Sequence, residues 1–167
     1  MEQQPAVVDE PKDGEVNSLK VKVALRIRPL IKRDLVEDYQ IAITPDLNTN
    51  SVGPIWLQIQ IGDKKRFIFD KVFDMNSDQP TVFQECAIKQ IDSYFKGYNA
   101  TIMAYGQTGS GKTYTMGNCL ESKEEDKGII PRTIDEVFKR IDEQTEYSFT
   151  IRATFVEVYN EEIYDLW

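Results

Sequence analysis

Between residues 106 and 113 the chain reads Gly-Gln-Thr-Gly-Ser-Gly-Lys-Thr, which satisfies G-x-x-x-x-G-K-[ST] at every fixed position. The motif directly follows Ala100-Thr-Ile-Met-Ala-Tyr105, a short and almost uninterrupted apolar run. Such a run predicts a strand covered on both faces, as in a parallel sheet. A buried strand, a glycine-rich loop and the start of a helix together form the setting in which this motif holds phosphate. Glycines let main-chain N–H groups converge on an anion without Cβ obstruction, and a helix N-terminus adds partial positive charge. Lys112 would then reach the β- and γ-phosphates of a nucleotide, and the Thr113 hydroxyl would ligate Mg²⁺. The plainer alternative is a glycine-rich turn with a solvated lysine. Chance gives such a match in roughly half a percent of chains this long, and the apolar run before it weighs further against the plain reading.

The composition removes several other chemistries. The chain has 167 residues and no histidine, so Ser-His and Cys-His nucleophile pairs and His-ligated zinc are excluded. Its two cysteines, Cys86 and Cys119, cannot build a disulfide framework or a four-thiolate metal site; they read as free thiols in a reducing compartment. Twenty basic against 28 acidic side chains give a net charge of −8, which disfavours nucleic acid and anionic membranes as partners through overall charge. No stretch approaches the roughly 18 apolar residues of a membrane span. The N-terminus lacks the apolar core of a secretory signal.

Residues 1–18 predict a disordered acidic tail, with Glu2, Asp9, Glu10, Asp13 and Glu15 set against Lys12. Order is expected from residue 19 onward, as one domain. Val21, Val23, Leu25 and Ile27 alternate with polar or small residues and predict a half-buried strand, stopped by Pro29. Ile55, Leu57, Ile59 and Ile61, a turn at Gly62–Lys65, then Phe67 and Phe69 predict a hairpin. From Ser77 the period becomes helical, through Val82, Phe83, Cys86, Ala87, Ile91 and Phe95. Ser77 or Asp78 is the expected N-cap, Pro80 fits the first turn and Gly97 the stop. Residues 118–128 read as a polar surface loop. A second helix is expected to open at Pro131, with Asp135–Lys139 and Glu136–Arg140 as i,i+4 pairs. A last strand is expected over Phe149 to Tyr159, with Asn160, Glu161 and Glu162 as its solvated end. Strands alternating with helices place the chain in the α/β class.

A phosphate loop alone names no family. GTPases carry theirs just after the first strand and read guanine with N-K-x-D; here the loop begins at Gly106 and N-K-x-D does not occur. A small kinase would need an arginine-bearing lid and an acceptor pocket, for which no segment is a candidate. Five blocks do carry a specific resemblance: VALRIRPL (23–30), FDKVFD (69–74), GYNATIMAYGQTGSGKTYTMG (97–117), GIIPRTI (128–134) and FVEVYNEEIYDL (155–166). In this order they resemble the first half of a kinesin motor domain, and the third block looks most like the kinesin-4 group.

The resemblance implies a P-loop NTPase fold of the kinesin type, with a central, mostly parallel sheet flanked by helices. Residues 19–167 would be the N-terminal half of the motor domain, with its C-terminal half not included. ATP and Mg²⁺ are the implied cofactors. They would be held by Gly106, Gln107, Thr108, Gly109, Ser110, Gly111, Lys112 and Thr113, with Thr113 on the metal. Arg26, Arg28, Pro29 and Tyr114 would line the adenine pocket. Read from the sequence alone, Arg26 and Arg28 could equally be the solvent face of an edge strand, and Tyr114 a packed aromatic at a helix start. The implied partner is the microtubule, through tubulin, with dimerisation by a coiled coil outside these residues and a cytoplasmic, cytoskeletal location. Kinesins sense the γ-phosphate with N-x-x-S-S-R-S-H and D-x-x-G-x-E, and neither occurs in this sequence. The resemblance therefore implies a microtubule-stimulated ATPase by family but near-background hydrolysis by this chain alone, with no catalytic residue identified in it. The alternative is a non-enzymatic short isoform or fragment that binds nucleotide weakly without motility. The resemblance also leaves strand 100–105 without sheet neighbours, so the chain by itself is expected to be unstable or aggregation-prone.

Overall fold

The computed structural model describes residues 21–36, 43–46, 57–61, 65–117 and 123–167. The acidic tail 1–18, Cys119 and residues 118–122 of the polar loop 118–128 lie outside the described residues. The chain divides into two compact units, Met1–Arg26 with Asp38–Val72, and Ile27–Glu37 with Phe73–Trp167.

In the first unit the predicted hairpin forms. Strand β3 (Leu57–Ile61) pairs antiparallel with β4 (Lys65–Phe69), with Ile59 opposite Phe67 and Leu57 opposite Phe69. A strand that the sequence pattern missed, β2 (Ile43–Asp46), adds to the far side of β3 and sets Pro45 opposite Ile59. Proline is tolerated there because β2 is an edge strand. Strand β1 is only Ala24–Arg26, shorter than the alternation suggested, and pairs with β5 (Lys71–Phe73). Asp70 braces it twice: its N–H donates to the Val23 carbonyl at 3.0 Å, and its Oδ2 accepts from the Val23 N–H at 2.8 Å.

The second unit is built around helices. A short helix, α1 (Lys32–Val36), follows Pro29. Helix α2 (Gln79–Cys86) is capped by Asp78, whose carboxylate accepts from the Thr81 N–H at 2.8 Å; Ser77 instead donates back to Asp74. Helix α3 (Ile88–Phe95) continues beyond the fully buried Ala87, which still donates to the Phe83 carbonyl and accepts from Ile91. Gly97, at φ 88°, ends it: Gly97 and Tyr98 donate back to the carbonyls of Tyr94 and Ser93. Helix α4 is Lys112–Met116, and a single 3-10 turn spans Glu124–Asp126. Helix α5 (Ile129–Glu143) starts two residues before Pro131, with Gly128 at its N-cap. Phe73, Val82, Phe83, Ala87, Ile91 and Ile129 form the core, and Ile102, Met116 and Val137 pack against it.

Charged groups tie α5 to its surroundings. Arg140 makes the expected i,i+4 pair with Glu136 at 2.7 Å, reaches Asp92 on α3 at 2.7 Å, and lies over the Phe95 ring. Asp135 pairs with Lys127 at 2.9 Å in place of the expected Lys139.

Two strand expectations need correction. The run 100–105 is extended but joins no strand, and it is not covered on both faces. Ile102 and Ala104 turn inward, whereas Met103 and Tyr105 are 80% and 96% exposed. The described residues form sheets of two, three and two strands, so a mostly parallel central sheet is not assembled from them. A buried strand needs hydrogen-bonding neighbours, and none adjoins this run among the described residues. The last segment also differs: β6 is only Val156–Tyr159, and the chain then reverses into β7 (Glu162–Asp165). Asn160 and Glu161, expected as a strand end, are the two turn residues, at φ 49° and 66°. That is the twist a two-residue hairpin favours.

Candidate functional site

The loop 106–113 leaves the core at Ile102 and closes on itself before α4 begins. Lys112 folds back over it, donating from Nζ to the carbonyls of Gly106 at 2.7 Å and Gln107 at 2.9 Å. Ser110 donates its N–H to the Gln107 carbonyl at 3.1 Å, tightening the bend. Gly106 takes φ of 154°, where an L side chain is strained, and a Cβ there would stand 3.2 Å from the Ser110 Cβ. Gly109 and Gly111 take φ of 80° and 97°, which an L side chain rarely adopts.

These constraints leave donors open. Among the described residues, the main-chain N–H groups of Gly109, Gly111, Lys112 and Thr113 have no backbone acceptor. They belong to the loop and the first turn of α4, where a helix leaves its N–H groups unpaired. Thr113 is exposed and Lys112 half-buried. Converging amides, one ammonium and one hydroxyl are a donor set for an anion with a hard cation beside it. No group of three or more His, Cys, Asp or Glu side chains able to hold a metal occurs among the described residues.

Of the expected base-pocket residues, Arg28 comes to the loop: a Cβ added to Gly111 would stand 3.9 Å from the Arg28 Cβ. Pro29 follows it, exposed. Arg26 ends β1 and belongs to the first unit. Tyr114 sits on the first turn of α4, 53% exposed, with its hydroxyl 3.5 Å from Asp126 Oδ1.

Two side chains that sequence reasoning passed over support this arrangement. Asp34 on α1 is 2% exposed and engages both terminal nitrogens of Arg28, Nη1 with Oδ2 and Nη2 with Oδ1 at 3.1 Å. It also accepts the Ile31 N–H at 2.9 Å. The hydrogen bond it donates to Asp34 holds the Arg28 guanidinium above its ordinary pKa. Gln79, also 2% exposed, donates from Nε2 to the carbonyls of Tyr114 at 2.7 Å and Asp126 at 3.2 Å. It thereby ties α4 to the start of α2 and to the 3-10 turn. The only sequence hints were a carboxylate shortly after Pro29 and a glutamine just inside an N-cap.

The kinesin motor domain family model matches residues 26–167, most of the chain. This chain belongs to the kinesin family. It is 43% identical over 155 residues to the human chromosome-associated kinesin KIF4B, covering 91% of this chain and 12% of that protein. It is also 43% identical to the mouse kinesin-like protein KIF21B, covering 88% of this chain and 9% of the relative. The KIF4 likeness agrees with the kinesin-4 resemblance of the third sequence block. Among solved structures it is similar to the Drosophila kinesin Kin10/NOD in complex with divalent manganese and ADP. That match has a TM-score of 0.70 at 30% identity, over 87% of this chain and 47% of the other. The fold is therefore that of kinesin P-loop NTPases, and this kinesin chain spans about half of that solved chain and a small part of the curated relatives.

Proposed function

We propose that residues 106–113 hold the phosphates of ATP, and that the protein carrying them is a motor coupling ATP hydrolysis to movement along, or regulation of, microtubules. The supporting observation is the loop itself: Lys112 drawn over the Gly106 and Gln107 carbonyls beside N–H groups without backbone acceptors. In this reading the amides and the Lys112 ammonium offset the charge of the β- and γ-phosphates. Thr113 would hold Mg²⁺, which would supply neutralisation of the phosphate charge. Arg28, Pro29 and Tyr114 border the base. The Drosophila relative's manganese and ADP, and its docking with tubulin in a microtubule map, support nucleotide, divalent metal and microtubule as the ligands. Dimerisation through a coiled coil and a cytoplasmic, cytoskeletal location follow from the same reading. No helix among the described residues is long and apolar enough to cross a membrane.

One observation favours a second reading. Neither γ-phosphate-sensing motif of kinesins occurs in these 167 residues, so a product limited to them would bind nucleotide without motility. Calorimetry with Mg-ATP and microtubule-stimulated phosphate release separate the two. The motor reading expects heat of binding that Lys112→Ala abolishes, and turnover that microtubules raise. Binding without stimulated turnover supports the second reading, and no binding by the full-length protein overturns both.

A further inference from the structure

We propose that Asp34 is a positioning residue for nucleotide binding, acting through Arg28 to fix the plane of the guanidinium that borders the base. This rests on the proposed reading that Arg28 faces the nucleotide. Asp34 is 2% exposed, and both of its oxygens are spent on Arg28, one on each terminal nitrogen. A two-point fork of this kind fixes tilt and rotation together, which a single hydrogen bond does not. Asp34 is itself held in place, because Oδ2 also accepts the Ile31 N–H at 2.9 Å. The side chain it aims is not enclosed: Arg28 is 35% exposed and its Cβ stands beside Gly111, where the phosphate loop enters α4.

The fork also decides what Arg28 can offer. Its Nη1 and Nη2 donate to Asp34, and Nη1 also donates to the Pro29 carbonyl at 3.1 Å. Three of the five guanidinium N–H donors are thus committed within the protein, and the flat face of the group is the surface offered to a neighbouring purine. Arginine stacks on aromatic planes in that manner. Asp34 thus turns a flexible cation into a preset platform, and the ordering cost is met on folding instead of on binding.

The test compares two probes on the full-length protein, Mg-ATP and Mg-tripolyphosphate, the second having phosphates but no base. Asp34→Asn is the variant, since it keeps the size and the Ile31 acceptor while losing the charge. It should weaken Mg-ATP about tenfold, the scale of a lost charge-assisted hydrogen bond, and leave Mg-tripolyphosphate unchanged. Asp34→Glu, which keeps a carboxylate fork, should recover part of the loss. Combined with Arg28→Ala, Asp34→Asn should add nothing further, because the two act as one unit. Equal weakening of both probes would show a merely structural role and overturn the proposal. So would unchanged Mg-ATP affinity, or additive losses in the double variant. A wild-type protein that binds neither probe would instead overturn the phosphate-loop reading itself.

Discussion

The backbones of Gly117 and Gly128 touch: a Cβ built on Gly117 would stand 2.8 Å from the Gly128 nitrogen and 2.9 Å from its Cα. A Cβ on Gly128 would in turn come within 2.5 Å of the Met116 carbonyl carbon. This contact joins the end of α4 to the start of α5, so it sets where α4, and the loop 106–113 before it, lie on the core. Gly128→Ala needs no unusual φ, and its whole effect is steric, against backbone that cannot swing aside. We expect it to destabilise the full-length protein by about 1–3 kcal/mol, the usual cost of overpacking, and to weaken Mg-ATP binding. Urea unfolding and calorimetry on the same variant check both. Unchanged stability would mean the two segments separate freely.

What could be read from the sequence was local. The Asp78 cap, the Gly97 stop and the period of α2 and α3 each depend on residues within one or two turns, and all three formed. The bend at 106–113 was legible for the same reason, because its glycines and lysine sit within eight consecutive positions. Gln79 was not, since its acceptors on Tyr114 and Asp126 lie 35 and 47 residues away. Asp34 sits in a charged run, Lys32-Arg33-Asp34, that reads as solvated until Arg28 is seen beside it. The run 100–105 misled in the opposite direction. Its apolar pattern is real, but a strand is a relation between segments, and a pattern on one segment cannot supply the neighbour.

The β6–β7 turn carries a cost that can be removed. Glu161 sits at φ 66°, in the left-handed region that disfavours a residue with a Cβ by roughly 1–2 kcal/mol. Asn160, at φ 49°, is of a type that tolerates it. Glu161→Gly makes the pair Asn-Gly, the favoured two-residue turn, and should stabilise the hairpin by about 1 kcal/mol. Slower amide exchange at Glu157 and Tyr164, which face each other in the ladder, would register it; faster exchange there would contradict the turn.

Lys127 anchors the segment leading into α5, pairing with Glu124 at 2.7 Å and Asp135 at 2.9 Å. The hydrogen bond it donates to Glu124, then that to Asp135, raises its pKa above the ordinary 10.5. A raised folded pKa means the contribution is complete below the unfolded value and is lost as pH rises through the folded one. The tether should therefore persist unchanged from neutral pH to about 10 and loosen only in stronger alkali. Exchange of the Asp126 amide, which donates to the Lys123 carbonyl, reads it directly. Lys127→Gln should reproduce at pH 7 the loosening that the wild type shows only in alkali. A wild-type tether that loosens already near pH 8 would contradict the pairing.

The exposed apolar groups of the two extended runs carry the last prediction. Met103 and Tyr105 are 80% and 96% exposed, and Ile151 and Phe155 are 51% and 60% exposed. Extended segments with apolar side chains and unpaired main-chain groups are templates for pairing with other chains. The 167-residue chain by itself should therefore bind a hydrophobic dye, scatter light at micromolar concentration and unfold over a broad urea range. Met103→Lys should lower the scattering by placing a charge in the run. Because Met103 faces away from the core, it should shift the stability of the helical unit by no more than about 0.5 kcal/mol. A sharp cooperative transition without dye binding would show instead that these segments are covered in solution, with the second unit stable on its own contacts.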